Sequence, residues 1–366
     1  MKTRAAVLHQ IGKPLVVEEL DLDKPGQDEV LVRIRAAGLC HSDLSVINGD
    51  RPRPVPMALG HEAAGEVLEC GPGVRDLAPG DRVVMVFVPS CGGCIPCLEG
   101  RPALCEPAAA ANNSGTLLCG ERRLHLDGHD VHHHLGVSAF SEYAVVSRRS
   151  LIKFDPSLSY EEAALFGCAV LTGVGAVVNT ARVPAGTTVA VVGLGGVGLN
   201  ALLGGILVGA REVIAVDLNE DKLKLAKELG ATATFNAGDA EALARLREHT
   251  RGGVDYSFEM AGSVHAMDFA YRATRRGGTT ITAGLSHPEH KWAVQHVNLV
   301  AEERTVKGSY IGSAVPLRDI PRYMALYKQG KLPVDRLMSD RLPLDEVNAG
   351  FNRLAAGGAI RQILVL

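Results

Sequence analysis

At 366 residues the chain is longer than one ordinary core accommodates, so two domains are expected. Its 22% charged residues, 46% hydrophobic residues and net charge of −3 suit a globular protein and favour neither nucleic acid nor an anionic membrane as a partner. No apolar run is as long as a membrane span, and "MKTRAAVLHQ" lacks a signal-like apolar segment. A cytoplasmic chain with reduced thiols is expected, whose eight cysteines are ligands or buried thiols rather than disulfides.

Residues 1–110 read as short strands and turns with no periodic helix. "EVLVRIRAAG" alternates apolar and polar residues, as a strand with one buried face does. "PGDRVVMVF" is a turn that feeds a strand. Near residue 160 the texture changes. "SYEEAALFGCAVLTGVGAVVN" starts with Ser159 at a helix N-cap position and Glu162 three residues later. From Thr187 to Phe235 the pattern is strand, Gly-rich turn, helix, strand, helix, strand, one half of a doubly wound parallel sheet. "VDYSFEMAG" and "GGTTITAGL" add strands, "PLRDIPRYMALYKQG" and "PLDEVNAGFNRLAAGG" read as helices, and "IRQILVL" is a closing strand. The fold class is α/β, a β-rich domain joined to a Rossmann sheet.

Gly193, Gly195, Gly196, Val197 and Gly198 belong to a G-x-G-x-x-G run that follows an apolar strand and opens a helix. Its glycines permit a tight turn and close backbone approach, and the helix N-terminus attracts a pyrophosphate. Asp217, at the end of the next strand, would accept from ribose hydroxyls and repel a 2′-phosphate, which favours NAD over NADP. Lys222, five residues later, would reach the same ribose.

Cys91, Cys94, Cys97 and Cys105 have the spacing of four thiolates wrapped on one tetrahedral zinc. Four protein ligands leave no open position, so this zinc would be structural, in a lobe of about residues 88–110. Cys70 and Cys119 read as plain thiols, and His129 and His132 as part of a solvated loop. Cys40 and His61 each stand close to an acid, Asp43 and Glu62, as ligands with carboxylates behind them do. Cys168 would complete a Cys2His set with one open position.

Over essentially the whole chain, "GHEAAGEV", "PGDRVV", "CGGCIPCLEGRPALC", "FSEYAVV", "GCAVLTGVGAV" and "VVGLGGVGLNA" resemble the zinc-dependent medium-chain alcohol dehydrogenases, members of the medium-chain dehydrogenase/reductase family. The resemblance implies a GroES-like catalytic domain of residues 1–169 and 306–366, with a Rossmann NAD-binding domain of residues 170–305 inserted. It implies two zincs per subunit, a catalytic one on Cys40, His61 and Cys168 and a structural one on the four clustered cysteines. Glu62 and Asp43 match the carboxylates behind the catalytic metal, and Ser42 the hydroxyl that bonds the substrate oxygen. His41, Arg361 and the glycine loop match contacts to the cofactor pyrophosphate, and Thr172 a contact behind the nicotinamide. Phe87, Ala110, His134, Leu135, Leu285 and Tyr310 match positions that line the substrate pocket. A cysteine at 168, where polyol-type relatives tend to carry a carboxylate, places the chain in the alcohol dehydrogenase branch.

The implied chemistry is interconversion of alcohols with aldehydes or ketones, zinc acting as Lewis acid and NAD(H) carrying the hydride. Two positions depart from the family pattern. Ser45 stands where many relatives have a proton-relay histidine; a hydroxyl passes a proton but does not store one near neutral pH. Arg51 and Arg53 stand where the glutathione-dependent formaldehyde branch has acids, which argues against an S-hydroxymethylglutathione dehydrogenase. Small Ala110 with apolar Phe87 and Leu285 suggests a medium or aromatic primary alcohol, and Arg51 at the mouth would suit a substrate with a distal polar or anionic group. The non-enzymatic alternative is a zinc- and nucleotide-binding redox sensor, which would not need Ser42. The full-length segment from Asn112 to Leu135 is the pattern of dimeric relatives, so a homodimer is expected.

Overall fold

The computed structural model describes residues 1–366. The chain forms two compact units, one of Met1–Cys168, Val315–Ala325 and Val334–Leu366, the other of Ala169–Ala314 and Leu326–Pro333.

The first unit is built on β-structure. Strands Lys2–Leu8, Val16–Leu22, Leu124–Leu126, His129–His133 and Met57–Ala58 close into a barrel. Ala5, Val7, Leu20, Leu22, Leu124 and Val131 fill it, as alternation along the strands requires. Beside the barrel lies a seven-stranded sheet centred on Glu29–Gly38. The C-terminal strand Arg361–Val365 pairs antiparallel with the end of Glu29–Gly38, Ile363 opposite Gly38. The C-terminal strand thus joins the sheet centred on Glu29–Gly38, which brings Arg361 beside the segment that follows Gly38.

This unit also contains helices that the sequence reading missed, His41–Ile47 and Glu106–Ser114. The first, seven residues long, is too short for a periodic apolar face to register. The second is rich in alanine and has little amphipathic contrast.

The second unit carries a parallel six-stranded sheet, in the order Ala233–Asn236, Glu212–Asp217, Thr188–Val192, Val254–Glu259, Thr274–Thr282, Thr305–Gly308. Numbered within the unit, that is the 3-2-1-4-5-6 order of a Rossmann sheet, whose ligand crevice lies at the carboxyl ends of the strands where the order reverses. Thr188–Val192 is fully buried, consistent with its unbroken apolar run. It ends at Gly193 (φ +94°), where a Cβ would lie 2.7 Å from the Ala261 nitrogen. Helix Gly196–Leu207 follows, and a Cβ on Gly198 would meet the Gly193 carbonyl at 1.8 Å. These two glycines let the helix sit tight against the strand.

No single helix is long and apolar enough to cross a membrane.

Candidate active site

Three separate turns of chain converge in the first unit. Cys40 precedes helix His41–Ile47 in extended conformation (φ −126°, ψ 149°), so the chain reverses just after the thiol. His61 and Glu62 lead into strand Ala63–Cys70. Gly60 ahead of them has φ +95°, and a Cβ there would lie 2.5 Å from the Phe140 nitrogen. Cys168 sits in a break between the short helical turn Leu165–Gly167 and helix Ala169–Gly175, at φ −141° and ψ −70°. The expected long helix from residue 160 is therefore interrupted at the cysteine, which turns its side chain out of helical register. Ser159 caps the first part as expected: its hydroxyl accepts from the Glu162 amide at 3.2 Å, and the Glu162 carboxylate accepts from the Ser159 amide at 2.7 Å.

The Sγ atoms of Cys40 and Cys168 and a ring nitrogen of His61 lie within 4.8 Å of one another. Cys40 is 7% exposed, Cys168 5% and His61 not at all. His61 Nδ1 donates to Asp43 Oδ1 at 3.0 Å, which fixes that side of the ring and leaves Nε2 for a metal, which would displace its proton. Nε2 is buried and has no hydrogen-bond partner. Hydrogen bonding from Cys168, with His61 and Arg361 nearby, holds the Cys40 thiol well below its ordinary pKa. The Cys168 thiol is pushed well above its own by the Cys40 hydrogen bond and by burial. Burial alone would lower the pKa of His61, but the charges of Asp43 and Cys40 outweigh it and hold the ring well above the ordinary value. A thiolate, a thiol and an unpartnered buried imidazole nitrogen around one point fit a zinc ion with an open fourth position.

Arg361 is buried behind the pair of thiols. Its Nη1 donates to the Leu39 carbonyl at 2.9 Å, and its Nη2 lies 3.6 Å from Glu62 Oε2. Ser42 and Ser45 are half-buried on the helix after Cys40, and His41 is exposed at its start.

A second cluster joins Cys91, Cys94, Cys97 and Cys105, whose sulfurs also lie within 4.8 Å of one another. Cys91 Sγ accepts from the Gly93 and Cys94 amides at 3.4 and 3.3 Å, and Cys105 Sγ from the Cys91 amide at 3.2 Å. Those amides draw the Cys91 thiol down to about 6, while burial and its neighbours push Cys97 up to about 12. Backbone amides aimed at sulfur are the environment of metal-bound thiolates.

Phe87 stands edge-on to His61 with centroids 5.0 Å apart. Asn112, unnoticed in the sequence, donates to the Phe87 carbonyl at 2.8 Å and fixes that wall. Leu135 is buried, Ala110 exposed, and Arg51 and Arg53 are half-buried; Arg53 donates to Asn113 at 2.5 Å. His129 and His132 lie on strand His129–His133, not in a solvated loop; His129 is exposed and His132 half-buried. The strand ends at His133, and Leu135 and Gly136 take positive φ (51° and 65°), so alternation stops and His133 and His134 both turn inward. His134 Nδ1 lies 3.1 Å from Asp43 Oδ1, a contact that nothing in the run of histidines signals.

In the second unit, a Cβ on Gly195 would meet nothing within 4 Å, so the loop has open space above it. The Asp217 carboxylate accepts from the Leu194 amide at 2.6 Å and the Asn219 amide at 2.9 Å, which tie the strand end to the glycine loop. Lys222 lies in the first turn of helix Glu220–Glu228, and Thr172 is buried. Leu285 and Tyr310 are 53% and 39% exposed.

Residues 26–156 match the family model described as alcohol dehydrogenase GroES-like domain, and residues 196–329 the model described as zinc-binding dehydrogenase. The chain is 42% identical over 371 residues to an NDMA-dependent alcohol dehydrogenase of Amycolatopsis methanolica, covering 100% of this chain and 99% of the relative. It is 38% identical to an S-(hydroxymethyl)glutathione dehydrogenase of Paracoccus denitrificans, with 100% of both chains covered. The crystal structure of benzyl alcohol dehydrogenase from Acinetobacter calcoaceticus superposes with a TM-score of 0.95 at 32% identity, over 100% of this chain and 99% of that one. With the zinc-competent thiols and the Rossmann unit, these matches identify an NAD-dependent enzyme: the chain belongs to the zinc-dependent medium-chain alcohol dehydrogenase family.

Proposed function

We propose that the enzyme oxidises medium-length or aromatic primary alcohols, or reduces the matching aldehydes. The observation that carries the site assignment is the buried cluster of Cys40, His61 and Cys168 with the unpartnered His61 Nε2. Cys40 Sγ, Cys168 Sγ and His61 Nε2 would hold the catalytic zinc, and Cys91, Cys94, Cys97 and Cys105 the structural one. Bound zinc supplies a Lewis acid for the alcohol oxygen, and bound NAD supplies the hydride acceptor. Asp43 orients His61 through Nδ1. Glu62, paired with Arg361, would stand behind the catalytic metal, and Arg361 would be a contact to the cofactor pyrophosphate. Ser42 would accept the proton of the substrate hydroxyl, and Ser45, one helical turn further on in His41–Ile47, would relay it without storing it. The glycine loop Gly193–Gly198 would receive the pyrophosphate, with His41 and Lys222 as further contacts and Thr172 behind the nicotinamide. Asp217, tied down by two amides, would disfavour a 2′-phosphate and so NADP.

Buried Phe87 and Leu135 support an apolar substrate wall, and the likeness to a benzyl alcohol dehydrogenase agrees with it. Ala110 would leave room beside that wall and Arg51 would stand at its mouth, while Leu285 and Tyr310, in the other unit, would be further substrate contacts. A homodimer is part of the same reading: the sheet ends at strand Thr305–Gly308, whose four residues are all exposed, leaving an edge for a second copy.

A panel of ethanol, hexanol, benzyl alcohol, an ω-hydroxy acid, and formaldehyde with and without glutathione tests the substrate. Extra buried methylenes add about 0.8 kcal/mol each, so hexanol or benzyl alcohol should exceed ethanol in kcat/KM by about tenfold or more. Ethanol in first place, or formaldehyde oxidation that requires glutathione and outruns the alcohols, would overturn this assignment.

A further inference from the structure

Asp43 receives two imidazoles on one oxygen. Its Oδ1 lies 3.0 Å from His61 Nδ1, 3.1 Å from His134 Nδ1 and 3.3 Å from the Gly60 amide. Asp43 and His61 are fully buried and His134 is 2% exposed, with the two rings edge to face and centroids 5.6 Å apart. The His61 contact has hydrogen-bond geometry; the His134 contact has the distance but not the alignment, so it is the more strained of the two. At that distance a bare Nδ1 lone pair on His134 would face the lone pairs of a carboxylate, so this nitrogen carries the ring proton. Asp43 Oδ2 is also buried and has no hydrogen-bond partner. The carboxylate is therefore anchored by one oxygen only, and without His134 that oxygen keeps just the His61 ring it has to aim and the longer Gly60 amide contact, which restrains rotation about the Cβ–Cγ bond less.

We propose that His134 is a positioning residue, whose Nδ1–H holds Asp43 Oδ1 where it aims His61 Nε2 at the catalytic zinc. The role rests on the reading that zinc sits on Cys40, His61 and Cys168. It differs from the wall position expected for His134, because the residue acts through Asp43 and not through the substrate.

Three substitutions separate a donor role from packing. His134→Asn keeps an N–H where Nδ1 stood. His134→Gln places its amide near the far ring nitrogen instead. His134→Leu fills the space without a donor. The measurement is the rate at which a chelator removes zinc from the holoenzyme, with the zinc on the four clustered cysteines as an internal reference. Loss of a partner directly behind a metal ligand costs about 10–100-fold in affinity. One bond further away, about threefold to tenfold faster release is expected for His134→Leu and His134→Gln. His134→Asn should stay within about twofold of the parent, and the reference zinc should not change. Equal release from the Asn and Gln variants, or parental release from all three, on an enzyme with two zincs would overturn the inference alone. A parent with no zinc outside the four cysteines would overturn the metal assignment and this inference with it. A third metal per chain would make His134 a ligand and overturn its positioning role.

Discussion

At the scale of single residues, inaccessible titratable groups separate metal chemistry from stability. His133 is fully buried, its Nε2 accepting from the Arg123 amide at 3.0 Å and its Nδ1 lying 3.3 Å from Ser138 Oγ. Burial, with Arg122 and Arg123 nearby, pushes its pKa from the ordinary 6.5 down to about 3. The folded state therefore holds a neutral ring while the unfolded chain takes up a proton below 6.5. Stability is intact above that pH and falls as pH drops towards 3. At pH 4.5, about two units below the unfolded value, the loss is on the order of 2–3 kcal/mol for this one group. In urea titrations from pH 7 to 4, His133→Gln, which keeps an acceptor for the Arg123 amide but does not titrate, should flatten the slope. A slope identical to the parent's would show that His133 is not the acid-sensitive group. Neither His133 nor the contact between His134 and Asp43 was legible in "HDVHHHLG". Only a strand that ends between them turns both rings inward, and the positive φ values of Leu135 and Gly136 are a tertiary outcome.

At the scale of elements, local rules are most informative where chemistry and backbone agree. The capping box at Ser159 and Glu162 was legible because both halves are local. The break at Cys168 was not, since nothing in "FGCAV" forbids a continuing helix; burial of the thiol beside Cys40 overrides local preference. The same holds for the short helix after Cys40, which is set by the turn that delivers the thiol. Five of the six Rossmann strands and the glycine loop were legible, the first step from its apolar run, turn motif and following acid; the short, fully exposed edge strand Thr305–Gly308 was not, because it carries no apolar alternation. Ser159→Ala removes the cap hydroxyl and should lower stability by about 1 kcal/mol. A urea-midpoint comparison checks it: a loss under a few tenths of a kcal/mol would show that the tertiary packing of Ala163 and Ala164, not the cap, holds this turn.

At the scale of the molecule, the catalytic cluster is assembled from separate segments, Cys168 standing more than a hundred residues beyond Cys40 and His61 in sequence. Cys40 and His61 meet because strand Glu29–Gly38 pairs with Ala63–Cys70, Ala37 opposite Ala63, and Cys168 joins them from a turn packed against strand Arg82–Met85. Spacing therefore identifies the four-cysteine cluster unaided, whereas the catalytic set needs either the family resemblance or the fold. On this reading Cys40, His61 and Cys168 hold the zinc that activates the alcohol. Zinc content and benzaldehyde formation from benzyl alcohol with NAD, measured together on the parent and on His61→Ala, test it most directly. Two zincs per chain are expected in the parent and one in the variant, with a fall in rate of about a thousandfold or more, since a Lewis acid lowers the barrier by several kcal/mol. Two zincs and an undiminished rate in His61→Ala would contradict it.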